Sequence, residues 1–317
     1  MRKWVLILFL CCLSVAARGG ERDSLRVMFW NLENFFDWRN DSTSVSDAEF
    51  SSLGERRWTK KRFYAKCNAI AKGILWAAGE EGGLPDVIGF AEVENSFVLR
   101  RLLQSTALAK LDYKIVHYDS PDPRGIDVAL LYRTSRLKLV SSKPCHLYMD
   151  STVMATRDIL IAHFTIQDGE DLAVLVNHHP SKYGGASSGP RRLKAVERLK
   201  SVKDSLENAG VTRILAIGDF NDTPDNPSYE LLGMENLALP LHKKGQGTIK
   251  YDGSWELIDL VFATGLDAGM SIVHIPFLED ADKTHGGTKP CRTYVGPKYN
   301  AGVSDHCPVW VVIQPVK

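Results

Sequence analysis

Three carboxylates (Glu92, Asp219 and Asp259), one amide (Asn221) and two imidazoles (His178 and His306) stand at the ends of short apolar runs or within them. Such groups can ligate a hard cation, orient a water and donate hydrogen bonds to an anionic phosphoryl group, as hydrolysis of a phosphoester demands. Taken singly, each has a bland reading. Asp219 and Asn221 in Gly218-Asp219-Phe220-Asn221-Asp222 could form an Asx turn. Glu92 could be a paired structural carboxylate, and His178 or His306 a satisfied core histidine. Their joint order along the chain argues against coincidence.

The elements that must position these groups repeat one plan, a β-branched or apolar run that stops at a polar cluster. Residues 26–30 end in Asn31-Leu32-Glu33-Asn34, and 86–91 in Glu92-Val93-Glu94-Asn95. Residues 172–176 end in Asn177-His178-His179-Pro180, and 214–217 in Gly218-Asp219. Ser304-Asp305-His306 immediately precedes the run 309–313. Short runs bounded by turn formers predict buried strands. Alternating segments at 126–132, 157–167 and 257–263 add more strands, and amphipathic stretches at 59–78 and 190–208 predict helices. Thr59 is a cap for the first, and Pro190 falls in the first turn of the second. Strands outnumber long helices, which favours two packed sheets with outer helices over one doubly wound sheet. The polar, Ser-rich segment 40–54 reads as a surface loop.

Composition is that of one globular domain over residues 18–317, with no repeat and no low-complexity tract. Residues 1–17 have the plan of a cleaved secretory signal: Arg2 and Lys3, an apolar run from Trp4 to Leu13, then Val15-Ala16-Ala17. A secreted or periplasmic protein is expected, without a stable membrane anchor, since the run is too short to span a bilayer. Losing Arg2 and Lys3 takes the net charge from +1 to −1, so no global cationic field holds polyanions and phosphate recognition must be local. Cys67, Cys145, Cys291 and Cys307 remain, in a compartment that permits disulfides. Three complete pairings are open to them, and Cys291 with Cys307, which flank the loop of the last polar cluster, is the pair put forward. No cysteine spacing matches a zinc motif.

Asn31, Glu92, His178, Asp219 with Asn221, Asp259, and Asp305 with His306 together resemble the endonuclease/exonuclease/phosphatase superfamily, which includes deoxyribonuclease I-like nucleases, over about residues 26–312. Trp30-Asn31-Leu32-Glu33-Asn34-Phe35-Phe36-Asp37, Ser120-Pro121-Asp122-Pro123-Arg124-Gly125-Ile126-Asp127 and Asn177-His178-His179-Pro180-Ser181-Lys182 are similar to a secreted bacterial-type branch. The family pattern often has an aromatic where His179 stands, which makes His178 the site residue. The resemblance implies a four-layer α/β sandwich, two packed mixed β-sheets flanked by helices, with Mg2+ or Mn2+ as cofactor. On this reading Glu92 is the metal ligand, supported by Asn31 and Asp305. Asp219 orients or deprotonates the attacking water, and Asn221 and His178 donate to phosphoryl oxygens. His306, held by Asp259, binds or protonates the phosphate or serves as base. Arg124 stands where a substrate contact is expected, with a solvated loop arginine as the alternative. The implied partner is a phosphoester, with nucleic acid the first guess and a lipid or small-molecule phosphate ester the alternative.

Two features weigh less. The glycine-rich stretch 182–189 precedes a helix and could cradle a phosphate. The run Arg56-Arg57-Trp58-Thr59-Lys60-Lys61-Arg62 interleaves cations with an aromatic, as a nucleic-acid groove does, but reads more simply as a solvated helix face. A non-catalytic binding protein would be expected to lack one of the motifs, and none is missing. The G-x-S-x-G spacing of a serine hydrolase elbow occurs at Gly185-Ala186-Ser187-Ser188-Gly189, but no apolar run leads directly into it as such an elbow needs.

Overall fold

A computed structural model describes residues 24–41, 44–166, 169–182 and 188–315. The expected export signal, residues 1–17, lies outside these, as does most of the glycine-rich stretch 182–189.

Twelve strands form two sheets: β1 (Leu25–Phe35), β2 (Val87–Val93), β3 (Tyr113–His117), β4 (Asp127–Arg133), β5 (Leu137–Cys145), β6 (Ile159–Ile166), β7 (Asp171–His178), β8 (Ile214–Asp219), β9 (Glu235–Asn236), β10 (Asp259–Thr264), β11 (Ala268–Ile272) and β12 (Val309–Ile313). The first sheet has the order β11-β12-β1-β2-β4-β3, and the second β9-β10-β8-β7-β6-β5. Both are mixed, because β1 runs parallel to β2 and β7 parallel to β8, while β12 and β10 return antiparallel.

Alternation along β1 shows how the layers arise. Val27 and Phe29 face a core shared with Val174, Val176, Leu215 and Ile217 of the other sheet. Met28 and Trp30 point the opposite way, into a core with Phe63, Ile70 and Ile74. Those last three belong to α2 (Lys60–Glu80), which follows the short α1 (Val45–Glu49) and precedes α3 (Ser96–Gln104). On the other side, Ala195, Val196 and Leu199 of α4 (Ser188–Asn208) cover Ala173, Leu175, Ile214 and Ala216. The result is helix, sheet, sheet, helix, the four-layer sandwich that the family resemblance implies.

Thr59 caps α2 as expected, its side chain accepting from the Arg62 N–H. The segment 40–54 is not simply a surface loop. It carries α1, and Asp47, Phe50 and Ser51 within it are buried.

A candidate active site at one edge of both sheets

Strand direction explains why the polar clusters meet. Parallel strands end at the same edge, so β1 and β2 deliver Asn31 and Glu92 together, and β7 and β8 deliver His178 and Asp219. An antiparallel neighbour begins where its partner ends, so Asp259 starts β10 directly across from Asp219. By the same logic the cluster before β12 lies at the end of β1, since Val309 pairs with Phe29.

A cleft of about 600 Å3 opens at this edge. Glu92, Arg124, His178, Asp219, Asn221, Asp305 and His306 all line it. Asn31 and Asp259 are buried behind its wall. The Asn31 amide donates to Asp219 Oδ2 at 3.0 Å, and its carbonyl oxygen accepts the Glu33 N–H at 2.9 Å. Asp259 Oδ2 lies 2.8 Å from His306 Nδ1.

The backbone here is unusual. Glu33, Asn34, Glu92 and Asn221 adopt positive φ, between 44° and 60°, a region that non-glycine residues enter at a cost and that clusters at functional sites. Pairing of β1 with β2 slips between Asn31 and Phe35, and pairing of β2 with β4 between Phe90 and Val93. Bulges of this kind re-aim side chains. The turned backbone is held: the Asn34 N–H donates to Glu92 Oε2 at 2.7 Å, and the Asn221 N–H to Asp219 Oδ1 at 2.9 Å. Arg124 donates to Asn34 Oδ1 at 2.9 Å and stands 3.7 Å from Glu92.

Electrostatics separate the two histidines. Burial and the cations Arg157 and Arg124 hold the His178 imidazole well below its ordinary value, so it is neutral. Its Nε2 lies 3.6 Å from Asp219 Oδ2, and its Nδ1 has no protein partner among the described residues. Burial also disfavours the His306 imidazolium, but Asp259, with Asp219 and Asp305 nearby, outweighs that and holds it well above the ordinary value. Burial pushes the Asp219 carboxyl up to about 7 against the pull of His306.

Several groups at the site carried no sequence signal as functional residues. Arg292 bridges Glu33 (2.7 Å) and Asp305 (3.1 Å). Buried Lys66 of α2 donates to the Glu33 carbonyl and to Thr293 Oγ1, both at 2.7 Å, and pins the strained turn. Burial lowers its ammonium to about 8. The Arg157 guanidinium ties Asp122 to the His179 carbonyl, which also accepts from Asn221. These are contacts between distant segments, which spacing along a chain does not reveal.

One expectation, the cysteine pair, is corrected, while the weight set against the run 56–62 as a nucleic-acid groove and against His179 as a site residue holds. The four described cysteines are free. Cys291 Sγ meets Asn300 Nδ2 at 3.4 Å, whereas Cys307 Sγ meets His274 Nδ1 at 3.7 Å, so the two thiols serve different neighbourhoods and are not bonded. The run 56–62 offers no stacking platform, because Trp58 is fully buried with its indole N–H on the Phe36 carbonyl. Arg56 pairs with Glu49, and Arg62 lies over Tyr299. His179 is buried against Phe220, ring centroids 4.4 Å apart, and does not line the cleft.

A two-sheet sandwich with carboxylates, imidazoles and an amide gathered at one strand edge is the architecture of a class of phosphate-ester enzymes. The chain belongs to the Endonuclease/Exonuclease/phosphatase family, whose model matches residues 26–315. No curated protein sequence matches it. Among solved structures it is similar to the human Nocturnin catalytic domain with bound sulfate (18% identity, 92% of this chain and 94% of that one, TM-score 0.59). It is also similar to D. rerio TDP2 complexed with a single-strand DNA product (16%, 92% and 99%, TM-score 0.55). A mannosyl-6-phosphatase of Bacteroides thetaiotaomicron is a third such neighbour (16%, 92% and 99%, TM-score 0.54). At these identities the likeness is one of fold.

Proposed function

We propose that this protein is a divalent-metal-dependent phosphoesterase. The observation that carries this is the convergence of Glu92, Arg124, His178, Asp219, Asn221, Asp305 and His306 on one cleft, with Asp259 bonded to His306 at 2.8 Å behind it. The carboxylates Glu92 and Asp305 and the remaining lone pair of the Asn31 carbonyl are all oxygen donors, which suits a hard cation such as Mg2+ or Mn2+. A cation held there would neutralise charge on the phosphoryl group and acidify a coordinated water.

The chain's own groups supply the rest. His178, neutral and lining the cleft, donates from Nε2 to a phosphoryl oxygen, and the Asn221 amide offers its second N–H to another. Asp219 is held by Asn31 and the Asn221 N–H and orients the attacking water as base. His306 has Nδ1 on Asp259, which leaves Nε2 facing the phosphate. Arg124 neutralises a substrate oxygen at the rim.

Nucleic acid is our first substrate class, supported by the DNA complex of TDP2 and by the cations Arg124, Lys289 and Arg292 in the cleft lining. A compact phosphate ester is the second reading, favoured by a net charge near zero and a cleft of a size that suits a small ligand. Turnover of plasmid DNA, RNA, phosphoinositides, sphingomyelin and simple phosphate esters, each with Mg2+ and with chelator, tests both readings. At least one substrate should be hydrolysed, and chelation should abolish it. Undiminished turnover in chelator, or none on any substrate with metal present, would overturn the proposal. The N-terminal pattern supports export to the periplasm or medium, with residues 18–317 as the catalytic domain. Sequencing the N-terminus of exported protein should place it near Arg18, and a retained Met1 would exclude cleavage.

A further inference from the structure

Outside the cleft, three metal-ligating side chains of different chemistry meet: His274, Glu279 and Cys307, with one ligand atom of each within 4.8 Å of the other two. They come from three separate segments. His274 follows β11, Glu279 opens the hairpin Glu279–Ala281 with Thr288–Pro290, and Cys307 is next to His306 in the loop before β12.

His274 Nδ1 lies 2.7 Å from Glu279 Oε1 and 3.7 Å from Cys307 Sγ. Ligands about 2.0–2.3 Å from a tetrahedral Zn2+ stand roughly 3.3–3.7 Å from one another, so the nitrogen–sulfur spacing already fits. The nitrogen–oxygen spacing is that of a hydrogen bond and needs to open by only about half an ångström, the ordinary change when an ion replaces a shared proton. The set is anchored from behind. Cys307 donates its backbone N–H to the Thr248 carbonyl at 2.7 Å, and the Val273 N–H donates to the Pro308 carbonyl at 2.9 Å. Trp255 meets the His274 ring edge-on, with centroids 5.3 Å apart. The His274 side chain is 49% exposed, so an ion has a route in and a water has room for the fourth position.

We propose that His274, Glu279 and Cys307 form a second metal site, selective for a borderline-soft divalent ion such as Zn2+ and distinct from the hard-cation site at Glu92. Nitrogen, sulfur and oxygen ligands in one place discriminate against magnesium, which favours all-oxygen shells. On binding, the Cys307 thiol proton leaves to water and the thiolate takes its place on the ion. Because Cys307 adjoins His306, the bound ion would fasten the loop carrying that histidine to β11 and the hairpin.

Titration of the reduced, Mg2+-loaded protein with Co2+, a spectroscopic stand-in for Zn2+, tests this without reference to activity. One equivalent should produce a thiolate-to-cobalt charge-transfer band with the visible bands of a tetrahedral site, and Zn2+ should displace it. Cys307→Ser should abolish the band, and His274→Ala, at an exposed position that folding should tolerate, should weaken affinity at least about a hundredfold. Glu92→Gln and Cys291→Ser should retain it. No charge-transfer band in the wild type, a band that survives Cys307→Ser, or full affinity in His274→Ala would overturn the site.

Discussion

His306 and Asp259 lie 47 positions apart, yet their side chains meet at 2.8 Å in a buried setting. A carboxylate placed at the head of an apolar strand is costly unless paired, and this requirement makes the contact foreseeable from sequence. If the two act as a unit, His306→Ala and Asp259→Asn should each lower turnover, the first by at least about a hundredfold. The double variant should lose far less than the combined free energies, because coupled catalytic groups are non-additive. Fully additive losses on any hydrolysed substrate would dissolve the pairing. His179 gives a second test. It is buried with neither ring nitrogen partnered among the described residues, and burial and Arg157 depress its imidazole from 6.5 to about 3. The folded-state value is the lower one, so the unfolded chain binds the extra proton between the two. Stability from this residue is present above about pH 6.5 and declines by about 1 kcal/mol per unit as pH falls toward 3. His179→Phe should therefore leave the thermal midpoint at neutral pH little changed and raise it near about pH 4.5. An unchanged acid slope in that variant would mean that other groups set it. Glu92, His178 and Asp219 were legible because each stands within two residues of the end of an apolar run. Arg292 and Lys66 were not, since an arginine in a loop and a lysine in a helix look ordinary until distant Glu33 is placed beside them.

At the scale of elements, the site depends on the register of β7, β8 and β10, which sets His178, Asp219 and Asp259 side by side. Gly218 makes that register possible. Its φ is 158°, and a Cβ there would fall 2.2 Å from the Asn177 carbonyl oxygen on the neighbouring strand. Neither backbone can yield without moving Asp219. Gly218→Ala should destabilise by about 2–4 kcal/mol through combined overpacking and backbone strain. Displacing the adjacent carboxylate by about 1 Å should cost roughly a hundredfold in turnover. The urea midpoint and kcat, measured together, check both, and a fully active, fully stable variant would show that β7 and β8 can part without consequence. Central strands were readable because both faces are buried, which leaves continuous apolar runs such as Ile214 to Ile217. Edge strands were harder. β5 alternates imperfectly, with most of its residues exposed or half-buried, and its partner β6 supplies the apolar face. The helix α1 escaped for a related reason: its burial comes from distant segments rather than from its own pattern, so a polar stretch read as a loop.

For the whole molecule, the decisive feature is that neither sheet holds a complete site. Asn31, Glu92 and the 304–306 cluster belong to the first sheet, while His178, Asp219 and Asp259 belong to the second, and the core of Val27, Phe29, Val174, Val176, Leu215 and Ile217 locks the two together. A cation bound at Glu92 with its neighbours would exist only in the assembled sandwich, because the unfolded chain brings none of these oxygens together. Binding to the folded state alone stabilises by mass action, about 2.7 kcal/mol when free metal is a hundredfold above Kd. For a chain of this size such a gain corresponds to roughly 4–5 °C in the thermal midpoint. Mg2+ or Mn2+ should thus raise the midpoint in proportion to the logarithm of its concentration once above Kd, and chelator should reverse the shift. Glu92→Gln keeps nearly the same shape but removes the charge, so it should fold with a near-normal midpoint in chelator and lose most of the metal-induced shift. Asp305→Asn should lose a smaller part. A Glu92→Gln variant that responds to magnesium as the wild type does would place the ion elsewhere, and the same titration across the carboxylates lining the cleft would then locate it.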